Sequence, residues 1–214
     1  MVEDILDRLE FISMSPERVL VIGDWTGTLA LSLRGAGSTV VEHDVATLDE
    51  ERPLKGEQFD LIVSLSSVDR VNDLPGALLH MRNALADDGL MVASFLGAGS
   101  LPNLRRAMIA SEPDRPTARM HPLVDNQAAS ALLQRALFKR QVVDSRRLTV
   151  SFASLDRLVS DLRDQGLGST LANVPPPLGK RAKKRADNAF MTAANDKGRV
   201  LEIFEILTLT GWKD

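Results

Sequence analysis

Val19-Leu-Val-Ile-Gly-Asp-Trp-Thr-Gly27 carries a short apolar run into a turn with a glycine at each end. A run such as Arg18 to Gly23 reads as a buried parallel strand, because a strand covered on both faces shows no polar alternation. A helical pattern follows from Thr28 to Arg34, with Leu29 and Leu33 four apart, and Gly35 stops it. Thr39-Val40-Val41 is a second strand, ending in the acidic Glu42-His43-Asp44. Asp60-Leu-Ile-Val-Ser-Leu65 is a third buried run, and Leu90 to Phe95 a fourth. Between those two, Asp73 sits near a helix start with Pro75 in the first turn. Leu74, Leu78, Met81 and Leu85 then recur at helical spacing until Asp87-Asp88-Gly89. Ahead of the first strand, Val2 to Phe11 places Ile5, Leu6 and Leu9 on one helical face. Strands alternating with helices at this pitch predict an α/β fold, a mostly parallel sheet flanked by helices.

The second half changes character. Asn103 to Ile109 reads as a helix and the proline-flanked stretch Ser111 to Pro122 as a loop. Asp125 is placed to cap a helix carrying Ala128, Ala129, Leu132, Leu133 and Leu137. Gln141 to Phe152 and Val200 to Thr210 are long strand candidates. In the latter, Leu201, Ile203, Leu207 and Leu209 share one face, with Phe204 and Ile206 on the other. Bulky apolar groups on both faces predict a strand inside a sheet. Between these two strands lie a helix (Leu155 to Leu162), a Pro175-Pro-Pro177 loop and a helix from Lys180 to about Asn195. No internal repeat and no second composition regime interrupts the chain. The expectation is a single domain over 1–214, with helical insertions at about 100–138 and 153–196.

Composition bounds the function. The 214 residues are 44% apolar and 26% charged, the balance of a soluble globular protein rather than a disordered one. The longest mainly apolar, uncharged stretch, Leu90 to Leu104, is broken by glycines, serines and a proline, so no membrane span is expected. A net charge of −3 gives no global signal for nucleic acid. Cysteine is absent, which removes disulfides, zinc–thiolate sites and cysteine nucleophiles together. The acidic opening Val2-Glu3-Asp4 is not the basic start of a signal peptide. Together these features point to a cytoplasmic protein.

Two places could carry chemistry. The glycine turn after Ile22 lets a ligand approach bare backbone near a helix N-terminus, beyond the carboxyl ends of the strands. The next strand ends at Asp44, about 20 residues on, where an acid can hold a ribose diol. The plainer reading is a tight turn beside a surface carboxylate. Of the three histidines, His43 ends a strand, His80 sits on a helix beside Met81, and His121 lies in a loop. None belongs to an H-x-D or H-x-E pair, so no metal site is expected. The second place is Lys180-Arg-Ala-Lys-Lys-Arg185, the densest basic run. With Ala182, Ala186, Ala189 and Phe190 as its buried stripe, it is a solvated helix face. Alternatively it docks an acidic protein partner, helped by Arg105, Arg106 and Arg119.

The turn resembles motif I of class I S-adenosylmethionine-dependent methyltransferases, which normally reads V-L-D-x-G-x-G-x-G. Asp49-Glu50-Glu51-Arg52-Pro53-Leu54 and Gln58-Phe59-Asp60-Leu61-Ile62-Val63 are similar to the family's next two segments. Val71-Asn-Asp-Leu-Pro-Gly-Ala-Leu78, Arg82-Asn-Ala-Leu85 and Asp88-Gly89-Leu90 continue the likeness, as do Leu101-Pro-Asn-Leu-Arg105, Arg119-Met-His-Pro-Leu-Val-Asp125 and Leu209-Thr-Gly-Trp212. This set is similar to one branch of the family. That branch joins the malonyl-carrier-protein methyltransferases of biotin synthesis to methyltransferase-like assembly factors of respiratory complex I, and the second group is the closer match. The likeness covers roughly residues 7 to 213.

The resemblance implies a Rossmann-like fold whose last strand, near Val200 to Thr210, is antiparallel, and S-adenosylmethionine as cofactor. By the same resemblance, Gly23 and Gly27 form the cofactor turn, Asp44 binds the ribose, and Asp49, next to Glu50, faces the adenine amino group. Ser64, Leu65 and Ser66 flank the methionine part. Two positions depart from the family. Val21 stands where the acid of motif I belongs and Trp25 where its middle glycine belongs. Asp24 is the neighbouring acid that could substitute, and Trp25 must point away, line the pocket or fill it. His121 falls in a segment that resembles the family's loop near the substrate pocket. The implied activity is methyl transfer to a protein-linked or small-molecule acceptor. That reaction needs mainly alignment, so no catalytic base is named. The alternative is an assembly or modification factor for a complex I subunit, by arginine hydroxylation or by binding alone, with a degenerate cofactor site.

Overall fold

The computed structural model describes residues 1–54, 58–114, 117–168, 171 and 173–214. In the described residues, helix α1 (Val2–Phe11) precedes β1 (Arg18–Ile22), α2 (Thr28–Gly35), β2 (Thr39–His43) and β3 (Phe59–Leu65). A one-turn 3₁₀ helix (Val68–Arg70) leads into α3 (Leu74–Ala84) and β4 (Leu85–Leu96). Helices α4 (Pro102–Ser111) and α5 (Asn126–Arg135), strand β5 (Lys139–Phe152), helices α6 (Leu155–Asp164) and α7 (Lys180–Met191), and strand β6 (Val200–Trp212) complete the order.

The six strands form one sheet in the order β2-β1-β3-β4-β6-β5. Strand β1 lies parallel to both β2 and β3, and β3 parallel to β4. Strand β6 runs antiparallel to β4, from Leu90 opposite Trp212 to Leu96 opposite Ile206, as the resemblance implies. The period of two along β1 sorts its side chains. Leu20 and Ile22 pack with Leu78 and Met81 of α3 and Leu133 of α5. Val19 and Val21 pack with Ile5 and Leu9 of α1 and Leu29 and Leu33 of α2. Helices therefore cover both faces, which is why these strands can be apolar throughout. From β1 the chain crosses to one neighbour, β2, and from β3 it crosses the other way, to β4. The strand order thus reverses between β1 and β3, the place where open α/β sheets bind ligands outside the strands' carboxyl ends.

The chain groups into two compact units. The first comprises Met1–Leu96, Val124–Ser145 and Ile206–Asp214, and the second Gly97–Leu123 and Arg146–Glu205. Of the two expected insertions, residues 100–123 and 153–196 belong to the second unit and 124–138 to the first. The second unit has its own apolar core, in which Leu101 and Leu104, Leu158 and Leu162, and Ala186 and Phe190 meet. Residues 115–116 of the expected Ser111 to Pro122 loop lie outside the described residues, and Ser111 itself ends α4.

Several expectations are refined. Asp73 and Asp125 cap α3 and α5 as expected, accepting from the Gly76 and Ala128 amides at 2.9 and 2.8 Å. Helix α3 stops at Ala84, and β4 begins at Leu85, ahead of the expected Leu90, with a register shift against β3 before Leu90. In β6 both faces are covered only from Ile206 onward, and Leu201 is 50% exposed. Its neighbour Glu202 is the buried one. Its carboxylate accepts the Asn103 and Leu104 amides at 3.1 and 2.9 Å, satisfying the first turn of α4, which has no side-chain cap from its own N-cap residue.

Candidate functional site

The carboxyl ends of β1, β2 and β3 are tied together by backbone. Gly23 follows β1 with φ +78°, and its amide donates to the His43 carbonyl at the end of β2, 3.1 Å away. A Cβ at Gly23 would stand 2.2 Å from the Leu65 carbonyl oxygen at the end of β3. Only glycine lets the two strand ends close to this distance. Ser66, next in β3's exit, has φ +49°, a conformation that a non-glycine residue holds only at a cost. Its amide donates to the Ser94 carbonyl of β4 at 2.8 Å. The Met1 sulfur lies 3.6 Å from Ser66 Oγ.

Around this junction the expected residues fall into different roles. Gly27 adopts φ +67° with open space where a Cβ would go, so its need is conformational alone. Asp24 Oδ2 accepts the Ala30 amide at 3.0 Å, and Oδ1 accepts Thr26 Oγ at 3.1 Å. The carboxylate is thus the anion at the α2 N-terminus, and its position is set by that helix rather than by a ligand. Val21 is buried against Ile5, Leu29 and Leu33. The side of β1 that bears the family's acid is here sealed with apolar atoms. Trp25 is 63% exposed at the tip of the turn, so it neither fills the turn nor packs into the core.

The two carboxylates after β2 are likewise distinct. Asp44 is exposed, and its Oδ1 accepts the Ala46 amide at 2.9 Å in an Asx turn. Oδ2 has no hydrogen-bond partner among the described residues. Asp49 pairs with Arg52 at 2.8 Å and remains 56% exposed. Glu50 turns inward, where it accepts from Ser67 Oγ. Ser67 Oγ lies 2.8 Å from Ser64 Oγ, so Ser64 also faces the interior. Burial pushes the Glu50 carboxyl above the usual carboxylate range, with the Ser67 hydrogen bond and the charge of Arg70 opposing the shift. Ser67 and Arg70, whose guanidinium donates to the Ser66 carbonyl at 2.9 Å, escaped the sequence reading. The available signal was Ser64-Leu-Ser-Ser67, a cluster of hydroxyls ending an otherwise apolar strand.

The remaining candidates are separate from this junction. His43 is exposed on the edge strand and His80 half-buried on α3. His121 belongs to the second unit, where its Nδ1 is buried with no hydrogen-bond partner among the described residues. Beside it in sequence, Arg119 pairs with Glu112 at 2.8 Å and donates to the Pro176 carbonyl at 3.0 Å. Among the described residues, no three His, Asp or Glu side chains gather as a metal site. No described helix is long and apolar enough to cross a membrane.

No family model matches the chain. It is 28% identical over 193 residues to human mitochondrial arginine-hydroxylase NDUFAF5, an alignment covering 85% of this chain and 54% of that protein. The chain therefore spans about half the length of the first curated relatives it matches. It is 25% identical to the malonyl-[acyl-carrier protein] O-methyltransferase of Gallionella capsiferriformans, over 98% of this chain and 81% of that one. A solved structure of a candidate methyltransferase from Bacillus halodurans superposes with a TM-score of 0.62, covering 97% of this chain and 98% of its own at 14% identity. The chain has the class I S-adenosylmethionine-dependent methyltransferase fold, and its sequence relatives include both the malonyl-carrier-protein methyltransferases and the arginine-hydroxylase NDUFAF5 group.

Proposed function

We propose that the chain binds S-adenosylmethionine at the β1/β3 switch point and transfers its methyl group to a protein-linked or small-molecule acceptor. The observation that carries this reading is Asp44. It stands at the end of the strand beside the glycine turn, with one oxygen fixed by the Ala46 amide and the other open to a ribose hydroxyl. Gly23 and Gly27 leave the two ends of the turn without side chains, and the exposed ring of Trp25 can wall the site without blocking it. Ser66 flanks the methionine part at the exit of β3, its amide and carbonyl already engaged by Ser94 and Arg70, while the buried Glu50–Ser67–Ser64 contacts brace that segment. Asp49 extends the acidic rim toward the adenine. When bound, the cofactor supplies an electrophilic methyl on a sulfonium. The protein's task is to align an acceptor with it, which is worth several kcal/mol without a base. The similarity to malonyl-carrier-protein methyltransferases favours a protein-linked acceptor. The absence of cysteine from all 214 residues is in keeping with a reducing compartment such as the cytoplasm.

A second reading, an assembly or arginine-hydroxylating factor for a respiratory complex I subunit, takes support from two observations. Val21 leaves no acid for the amino end of methionine, and Asp24 is engaged by α2. The similarity to NDUFAF5 points the same way. Calorimetric titration of the full chain with S-adenosylmethionine and S-adenosylhomocysteine separates the readings. Saturable heats for both ligands are expected. No heat with either ligand, in protein that melts cooperatively, would sink the methyl-transfer reading and leave the second.

A further inference from the structure

The formal charge is divided unevenly between the two units. The first carries 11 basic and 20 acidic residues, a net of −9, and the second 15 basic and 9 acidic, a net of +6. A whole-chain net of −3 conceals a strongly basic module. Within that module, α7 holds the densest cations, and they divide by role. Lys183 donates to Asp156 and Asp187 at 2.9 and 3.1 Å. Arg185 donates twice to the Ser111 carbonyl, at 2.9 and 2.6 Å. These contacts fasten α7 to α6 and α4, while Ala182, Ala186 and Phe190 bury its inner stripe. Lys180, Arg181 and Lys184 are exposed and have no ion pair or hydrogen-bond partner among the described residues. At 100° per residue they cluster on the side opposite the buried stripe, with Lys180 and Lys184 one turn apart.

We propose that this outer face of α7 docks an acidic polypeptide segment of a protein partner. The helix is already held in place, so binding orders few groups beyond three side chains, and unpaired cations lose no existing ion pair when they engage carboxylates. The rest of the face argues for a polypeptide over other polyanions. It carries no aromatic ring on which bases could stack, the usual complement to cations in single-strand binding. It carries no row of large apolar side chains to sink into a lipid interface. Arg119, by contrast, is tied to Glu112 and Pro176, and Arg106 donates to Asn103 at 2.9 Å, so neither extends the surface as the sequence suggested. This docking needs no cofactor and stands or falls separately from methyl transfer.

The test is fluorescence anisotropy of a labelled polyglutamate peptide with the full chain, at low salt and at about 0.15 M salt. Lys180→Glu, Arg181→Glu and Lys184→Glu together should weaken binding about tenfold or more. A charge-matched control in the same unit, Arg146→Glu, Arg163→Glu and Lys197→Glu, should change it far less. Thermal melting accompanies both, and the corresponding triple glutamine variant replaces the α7 reversal if that protein fails to fold. Equal losses in the two triple variants would show bulk charge rather than an α7 surface and overturn the proposal. So would tighter α7-dependent binding of single-stranded RNA or of phosphatidylserine vesicles than of polyglutamate.

Discussion

Gly23 and Gly27 look equivalent in the sequence, yet different forces make them glycine. At Gly27 the constraint is φ alone, and Gly27→Ala should cost about 1–2 kcal/mol through the left-handed backbone. At Gly23 a methyl group also meets the Leu65 carbonyl at 2.2 Å, and backbone has no rotamer with which to yield. Gly23→Ala should therefore lower the melting temperature more than Gly27→Ala, and equal losses would mean that the β1–β3 approach is not tight. Trp25 shows what a motif position cannot tell. Its departure from glycine was plain in the sequence, but its 63% exposure follows from where the turn points. A large residue at the tip leaves no cavity when removed, so of the three alternatives open in the sequence (pointing away, lining the pocket or filling it) its exposure supports the first two. Asp49 and Glu50 are similarly indistinguishable as letters. One pairs with Arg52 in solvent and the other is buried on Ser67, because an irregular loop has no period from which side-chain direction can be read.

Elements were legible where burial patterns their apolar residues. Strand β1 was readable as an unbroken apolar run ended by glycine, because both of its faces are buried, and α3 and α5 by the helical spacing of the apolar stripe each buries. What was not readable joins distant parts of the chain. Glu202 satisfies the first turn of α4 from 99 residues away, a link that no periodicity within either element announces. The Glu50–Ser67 contact is the same kind of link, between the loop after β2 and the exit of β3. Its carboxyl is raised by burial, so the folded state holds its proton more tightly than the unfolded chain. The stabilising contribution is present at low pH and is lost as pH rises through the elevated value. Glu50→Gln keeps an acceptor for Ser67 and removes the charge. The variant should gain stability relative to wild type between acid and neutral pH, read as diverging melting temperatures. A constant difference across that range would mean that Glu50 titrates normally.

At the scale of the molecule, the alternation of strands and helices was sufficient for the architecture, and the antiparallel β6 came from resemblance rather than pattern. The division into an acidic and a basic unit was invisible in the overall composition, since the opposing charges nearly cancel. The central claim is that a nucleoside-bearing cofactor sits at the switch point, against the turn that Trp25 tips and the carboxylate of Asp44. The chain has two tryptophans, so Trp212→Phe leaves Trp25 as the sole reporter. Titrating that variant with S-adenosylhomocysteine should give a saturable change in Trp25 emission. Adding Asp44→Ala should remove a charged hydrogen bond worth about 1.5–3 kcal/mol and shift the midpoint by roughly one to two orders of magnitude. An emission that stays flat, or a midpoint indifferent to Asp44, would contradict the account.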